Sequence, residues 1–218
     1  MLDVGDHHLE LARLQERPPT RQAARAFGAR LAGTHDAGAA AYGAGPDGWP
    51  ADGFFGPLSE PLPMTLGTWP TWGRFYAEAR VLPMVRLARD RVVYDAASAR
   101  AFDPLCRRLA EGELDTDDAP ARIHGDLWSG NVMWTAEGAT PIDPAAHGGH
   151  RESDLGLLAL FGAPHLDAIL EGYRSAHSLA TGWQERVGVH QLHCLLVHAV
   201  LFGGGYAGRA LAVATRFA

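Results

Sequence analysis

Apolar side chains recur every three to four residues in five segments of this chain, which is the spacing of one buried helix face. The apolar positions are Ala24, Phe27 and Leu31; Trp72, Phe75, Tyr76, Ala79 and Leu82; Phe102, Leu105, Cys106 and Leu109; Leu155, Leu158 and Ala159; and a run from Val189 to Leu201. Thr20 is predicted to cap the first helix, and Pro83 to kink or end the second. The chain is therefore predicted to be mostly helical.

Strand signals are weaker and fall in two places. Residues 8–14 alternate weakly between apolar and polar side chains until Pro18 stops the strand. Val132–Trp134 and Thr140–Ile142 flank a turn that contains Gly138, and this pattern predicts a small β-hairpin. Short strands in a mostly helical chain indicate an α+β fold.

Two connecting segments have contrasting compositions. Residues 38–70 combine many glycines and prolines with Trp49, Phe54, Phe55 and Trp69, so we expect this loop to pack on the domain or border a cleft. The acidic run from Glu111 to Asp118 is predicted to be a solvated connector instead.

Composition narrows the class of protein. The 218 residues are 47% hydrophobic and 20% charged, which is enough for one substantial core. A net charge of −6 argues against nucleic-acid or anionic-membrane partners. The longest apolar stretch is interrupted by His193 and His198, and the N-terminus lacks the pattern of a signal peptide. Only Cys106 and Cys194 are cysteines, so we expect a cytoplasmic protein.

The chemistry-bearing segment is Ile123–Asn131, with the letters IHGDLWSGN, followed by Pro141–Pro144. Phosphoryl transfer assisted by Mg²⁺ needs a base for the acceptor hydroxyl and oxygen ligands for the metal. Asp126 is the candidate base, and Asn131 and Asp143 are the candidate metal ligands. Because the predicted hairpin carries Asn131 at one end and Asp143 at the other, these two ligands are expected to lie close together.

The motifs HGDLWSGN, IDPAAHGGHRESDL and LFG resemble the fructosamine (ketosamine) 3-kinase family, a branch of the aminoglycoside-phosphotransferase-like kinases. Gly28-x-x-Leu31-Ala32-x-x-His35 and the segment Leu201–Tyr206 also resemble that family. The resemblance implies a protein-kinase-like fold and phosphorylation of a sugar hydroxyl, which serves deglycation of amines or proteins. It implies ATP and Mg²⁺ as cofactors and a small-molecule or protein-bound ketosamine as the partner.

The resemblance also implies roles for residues around the loop. Glu10 and Ala12 are expected to contact the adenine through their backbones, and Trp128 to face the substrate or, alternatively, to pack in the core. The remaining family positions are expected to support the loop structurally: His124, His150, Arg151 and Asp154. For two of them, His150 and Arg151, direct substrate contact is an equal alternative.

The chain departs from the kinase pattern in one respect. All 19 of its Lys and Arg residues are arginine, whereas kinases of this fold hold the nucleotide phosphates with a lysine on an N-lobe strand. Residues 1–16 are therefore interpreted as a remnant of the N-lobe and hinge, and residues 17–218 as the C-lobe, with self-association through the uncovered face. Two alternatives stay open: an inactive remnant or binding module, and a kinase for another small molecule such as an aminoglycoside.

Overall fold

The computed structural model describes residues 3–5, 8–49, 51–57 and 59–218. The helices are α1 (Arg21–Asp36), α2 (Trp72–Phe75), α3 (Leu82–Asp90), α4 (Ala96–Arg100), α5 (Asp103–Ala110), α6 (Arg151–Leu160), α7 (Leu166–Ala176), α8 (Trp183–Phe202) and α9 (Gly205–Arg216). The strands are β1 (Asp3–Gly5), β2 (His8–Glu10), β3 (Gly53–Phe55), β4 (Leu62–Met64), β5 (Ala121–Ile123), β6 (Val132–Thr135), β7 (Gly138–Pro141) and β8 (His147–Gly149). The α+β, mostly helical prediction is confirmed.

The strands pair two by two, and all four pairs are antiparallel. β1 pairs with β2, β3 with β4, β5 with β8 and β6 with β7. The last pair is the predicted hairpin. β2 is shorter than the predicted strand, because residues 11–20 have no regular structure. β5 leads into the loop that carries Asp126, and β8 leads into α6. Their pairing therefore brings the start of this loop close to the start of α6.

Helix α1 forms as predicted. The Thr20 hydroxyl accepts a hydrogen bond from the backbone N–H of Ala23 at 3.1 Å, which satisfies one free donor of the first turn. Ala24, Phe27 and Leu31 are buried. This apolar face packs mainly on α7.

Two glycines set how closely α1 and α7 approach. A Cβ atom on Gly28 would lie 1.9 Å from the carbonyl oxygen of Ile169, and one on Gly172 would lie 1.9 Å from that of Arg25. Any side chain at either position would separate the two helices. The glycine of the Gly28–His35 motif is therefore required by backbone-to-backbone packing.

The helix that begins at Trp72 does not end at Pro83. A π-helical turn, Tyr76–Val81, connects α2 to α3, and the N–H of Leu82 bonds to the carbonyl of Ala77 five residues earlier. The wider turn lets the helical run continue through the proline, which lacks a backbone donor. Pro83 was predicted to kink or end the helix. In the structure the helix continues past Pro83, and a π-helical turn forms before it.

The two connecting segments are more structured than their composition indicates. Residues 38–70 pack as predicted, but they also contain the unpredicted hairpin β3–β4, which buries Phe55, Leu62 and Met64. Within the acidic run, Asp115 accepts the N–H of Gly73 at 2.7 Å, and Asp118 is largely buried. The prediction of a solvated connector is wrong for these two carboxylates.

The buried apolar residues form two cores. One is built around α2, α3, α5 and α8, and the other joins α1 and α7 to the hairpin β6–β7. Cys106 and Cys194 are buried free thiols. None of the helices in the described ranges combines the length and apolar character needed to cross a bilayer.

Candidate active site

The loop between β5 and β6 is held in an unusual backbone shape. Gly125 has a φ of 83°, and a Cβ atom there would lie 2.2 Å from the carbonyl oxygen of Ala145. Glycine is the residue that adopts this conformation without strain. The glycine of the His-Gly-Asp sequence is therefore the residue that this turn requires.

Asp154 on α6 anchors the start of the loop. Its carboxylate accepts the N–H groups of His124 at 2.8 Å and Gly125 at 3.0 Å. The Nε2 atom of His35 lies 3.1 Å from the same carboxylate. Burial favours the neutral acid, but the His35 contact and the backbone donors outweigh it and lower the pKa of Asp154 below its ordinary value. The carboxylate is thus fixed as an acceptor.

His124 connects the loop to the segment that precedes Asp143. Its Nδ1 atom accepts the N–H of Asp126 at 3.3 Å, and its Nε2 atom lies 2.9 Å from the carbonyl oxygen of Ile142. The tautomer with its proton on Nε2 satisfies both contacts. Both imidazole nitrogens are therefore used within the protein.

Asp126 lies at the centre of the site. The side-chain amide of Asn131 donates to the Asp126 carbonyl at 2.9 Å and to its Oδ2 at 3.1 Å. Burial, followed by the negative charge of Asp143, raises the pKa of Asp126 from 3.8 to about 6, although the Asn131 bond opposes the change. The carboxylate is ionised at neutral pH and more basic than an ordinary aspartate.

Asn131 and Asp143 lie at the two ends of the hairpin β6–β7. The N–H of Ile142 donates to the Asn131 carbonyl at 3.0 Å, which holds the two ends together. Asp143 has a φ of 55°, a backbone strain of the kind that clusters at functional sites. Within the described residues, the Asn131 side-chain oxygen and the Asp143 carboxylate have no hydrogen-bond partner. Such free oxygen donors fit Mg²⁺.

Asp126 lines a cleft of about 190 Å³ whose rim is aromatic. The Trp128 side chain is 39% exposed and contacts Phe161 edge to face, with ring centroids 5.8 Å apart. A Cβ atom on Gly130 would lie 2.1 Å from the Trp128 ring, so the ring lies over a residue without a side chain. The Trp-Ser-Gly order of the motif therefore places an indole at the cleft mouth, next to Asp126.

Arg151 is tied to elements outside the cleft. It donates to the Tyr173 hydroxyl at 3.0 Å and to Asp36 at 3.1 Å, and its Nε lies 3.1 Å from Asp118. Arg151 is not among the residues that line the cleft, whereas its neighbour His150 is.

His150 has partners for both ring nitrogens. Nδ1 accepts the N–H of Glu152 at 3.1 Å, and Nε2 lies 2.9 Å from the Thr116 hydroxyl. His150, Glu152 and His190 have ligand atoms close enough together for a metal. The Glu152 carboxylate is already paired with Arg186 at 2.5 Å, and burial lowers the pKa of both histidines. The Nε2 atom of His190 lies 3.1 Å from the same carboxylate, so Glu152 already has partners within the protein.

Glu10 and Ala12 are exposed, and Glu10 ends β2. The segment after them runs beside the hairpin, because the N–H of Arg17 donates to the carbonyl of Trp134 at 2.8 Å. A shallow pocket lies between this segment and the hairpin. It is lined by Arg13, Leu14, Gln15, Glu16 and Met133. The predicted adenine contacts thus lie next to a surface depression.

Sequence reasoning missed three residues of the site. Tyr173 bonds to His35 at 2.8 Å and so extends the support of Asp154 to α7. Arg80 lines the cleft, and Met133 lines the shallow pocket. The His35 of the family motif was a usable signal for the first connection, but a single arginine or methionine within an apolar stripe gives none.

The elements described above form a protein-kinase-like fold, with an aromatic-rimmed cleft beside Asp126. A Thermobifida fusca crystal structure provisionally named fructosamine-3-kinase is 48% identical, with a TM-score of 0.84 over 93% of this chain and 67% of that chain. A Synechocystis protein named "probable ketoamine kinase" is 35% identical over 83% of this chain and 57% of its own length. A Haemophilus somnus structure at 20% identity and a TM-score of 0.76 supports the fold alone.

Residues 4–217 match the family model described as fructosamine kinase. The chain belongs to the fructosamine kinase family. It spans about half the length of the curated relatives it matches.

Proposed function

We propose that this protein is an ATP-dependent phosphotransferase that phosphorylates a sugar hydroxyl of a ketosamine, with residues 17–218 as its catalytic and substrate-binding unit. The observation that carries the proposal is the Asp126 carboxylate, which has a pKa of about 6, lines the cleft and is hydrogen-bonded to Asn131. A base of this strength suits proton removal near neutral pH.

Asp126 orients the acceptor hydroxyl and accepts its proton. Because Oδ2 already accepts the Asn131 amide, Oδ1 is the atom available to the substrate. The acceptor oxygen forms a bond to the γ-phosphorus, the bond from that phosphorus to the ADP oxygen breaks, and the hydroxyl proton moves to Asp126. The loop geometry set by His124 and Asp154 keeps the carboxylate in position.

Asn131 and Asp143 are the residues that would hold Mg²⁺. When bound there, the ion neutralises the phosphate charge of ATP. The hairpin fixes the separation of these two side chains before any ligand arrives, which is the form of preorganisation that electrostatic catalysis needs.

The acceptor and nucleotide contacts follow from the surrounding surfaces. Trp128 presents an aromatic face on which a sugar ring stacks, and His150 borders the same cleft. Arg151 supports the loop indirectly through Asp36 and Asp118. Adenine binds in the depression beside Met133, with the backbones near Glu10 and Ala12 as its polar partners.

The test is a panel of acceptors measured by ADP release. The protein is supplied with Mg-ATP and a fructosyl amine, a ribosyl amine, an aminoglycoside or free fructose. We expect turnover on ketosamines and little on the other acceptors. A preference for the aminoglycoside would replace the acceptor class, and Mg-independent or acceptor-independent ADP release would contradict the proposal.

One sequence observation favours a second candidate for residues 1–218 taken alone. The chain has no lysine, and one preorganised charge on the phosphates is typically worth about 3 to 4 kcal/mol of transition-state stabilisation. The protein would then bind acceptor with little turnover. Calorimetry with a ketosamine and the turnover assay together separate this binding module from an active enzyme.

A further inference from the structure

A buried arginine lines the same cleft as Asp126 and has no acidic partner. Arg80 is 2% exposed and lies in the π-helical turn Tyr76–Val81. Among the residues that the structure describes, no carboxylate lies within 4 Å of its guanidinium. Arginine is almost never fully buried unless it is paired, so this residue requires an explanation.

The hydrogen bonds of Arg80 occupy one part of the guanidinium only. Nη1 donates to the carbonyl oxygens of Thr65 at 2.9 Å and Ala79 at 3.0 Å. Nε and Nη2 are buried without a hydrogen-bond partner in the described structure. These two nitrogens form one edge of the planar group, and their parallel N–H bonds match the two oxygens of a carboxylate.

Aromatic rings hold the guanidinium in place without neutralising it. Its central carbon lies 4.6 Å from the centroid of the Phe75 ring and 5.5 Å from that of Phe55. Burial lowers the pKa of Arg80 to about 9, so the group still carries its charge at neutral pH. The rings fix the orientation of the free edge, and the positive charge stays uncompensated.

No titratable group in direct contact with Arg80 within the described residues supplies a negative charge. Burial and the charge of Arg80 lower the pKa of His147 to about 3 and that of His193 well below its ordinary value. Tyr76 is also near, and burial keeps its hydroxyl neutral by raising its pKa. Asp52 acts on Arg80 only through space. A ligand is therefore the remaining source of a compensating anion.

We propose that the free Nε–Nη2 edge of Arg80 binds the carboxylate of the acceptor, so that the preferred substrates are ketosamines of free amino acids or of a chain end. The inference rests on the proposed function for the identity of the acceptor. It adds a second point of attachment to the cleft. Asp126 engages the reacting hydroxyl, and Arg80 engages the carboxylate of the amine portion.

The test compares two ligands that differ in that carboxylate. The fructosyl derivatives of glycine and of methylamine are titrated calorimetrically into residues 1–218, and the ratio of their Kd values measures the carboxylate preference. A charge-assisted bidentate pair predicts at least about a tenfold preference for the glycine derivative. The ratio is insensitive to general damage, because damage weakens both ligands alike.

Arg80→Met should reduce the preference to about one, Arg80→Lys should leave an intermediate value, and Arg86→Met on the exposed face of α3 should leave it unchanged. If the Met variant fails to fold, the Nε–H resonance of Arg80 in the wild type decides. It should shift with the glycine derivative and not with the methylamine derivative.

A wild-type ratio near one, a preference that survives in Arg80→Met, or an unmoved Nε–H resonance would overturn the inference. Failure of the proposed function gives a different result. An Arg80-dependent preference in binding, without turnover, would leave the carboxylate subsite intact and remove the kinase reaction. Turnover without any carboxylate preference would leave the kinase reaction intact and remove the carboxylate subsite.

Discussion

Replacing Asp126 with asparagine should abolish turnover and stabilise the fold, an unusual combination for a central residue. The asparagine cannot accept the hydroxyl proton, and loss of a general base typically costs about 10²-fold to 10⁴-fold in rate. The stability gain follows from the raised pKa, which shows that the folded protein disfavours the ionised carboxylate. Residues placed for catalysis commonly carry this kind of cost.

The magnitude and its pH dependence can be worked out from the two pKa values. A tenfold change in an ionisation constant is about 1.4 kcal/mol, so raising the pKa of Asp126 from 3.8 to about 6 destabilises the fold by about 3 kcal/mol. Because the folded pKa is the higher one, the penalty is absent below about pH 4. It grows as the pH rises toward 6 and stays constant above it.

Urea unfolding of both proteins in a chelating, metal-free buffer measures this effect. Asp126→Asn should exceed the wild type in stability by about 3 kcal/mol at pH 8 and by about half of that at pH 5. Asp117→Asn, at an exposed carboxylate in the acidic connector, is the matched control and should change little. A variant that is less stable than the wild type, or a gain independent of pH, would refute the reasoning.

Three further substitutions test separate parts of the site. Asp143→Ala should weaken ATP binding only when Mg²⁺ is present, as measured by calorimetry with and without the ion. If the Mg²⁺ dependence of ATP binding were the same as in the wild type, Asp143 would not be a metal ligand. Gly130→Ala should displace the Trp128 ring, which its Cβ would approach to 2.1 Å, and raise the acceptor Kd with little change in urea midpoint. Gly28→Ala should force α1 away from Ile169 and cost about 1 to 3 kcal/mol or more in urea unfolding, with unchanged stability as the contrary result.

The helices and the hairpin were predictable because their signals are local. The stripe of Ala24, Phe27 and Leu31 and the Thr20 cap are properties of consecutive residues, and the structure agrees with them. The hairpin that carries Asn131 and Asp143 was likewise visible as two apolar runs around a turn. Sequence signals of this kind do not depend on contacts between distant segments of the chain.

The parts that sequence reasoning missed depend on contacts between distant segments. Asp118 was assigned to a solvated run, yet it is largely buried, and its carboxylate lies 3.1 Å from the Nε atom of Arg151 on α6. The free edge of Arg80 becomes visible only when the hairpin β3–β4 covers the π-helical turn. Neither contact leaves a periodic pattern, since Arg80 and Thr65 are 15 residues apart along the chain and Asp118 and Arg151 are farther apart still.

Direct identification of the phosphorylated product tests the central claim. The protein is incubated with Mg-ATP and fructosyl-glycine, and the reaction product is examined by phosphorus and proton nuclear magnetic resonance. We predict a phosphate monoester on a ring hydroxyl, which by family resemblance is O3, and no such product from Asp126→Asn. ADP release without a sugar phosphate, or the same ester from Asp126→Asn, would contradict the account.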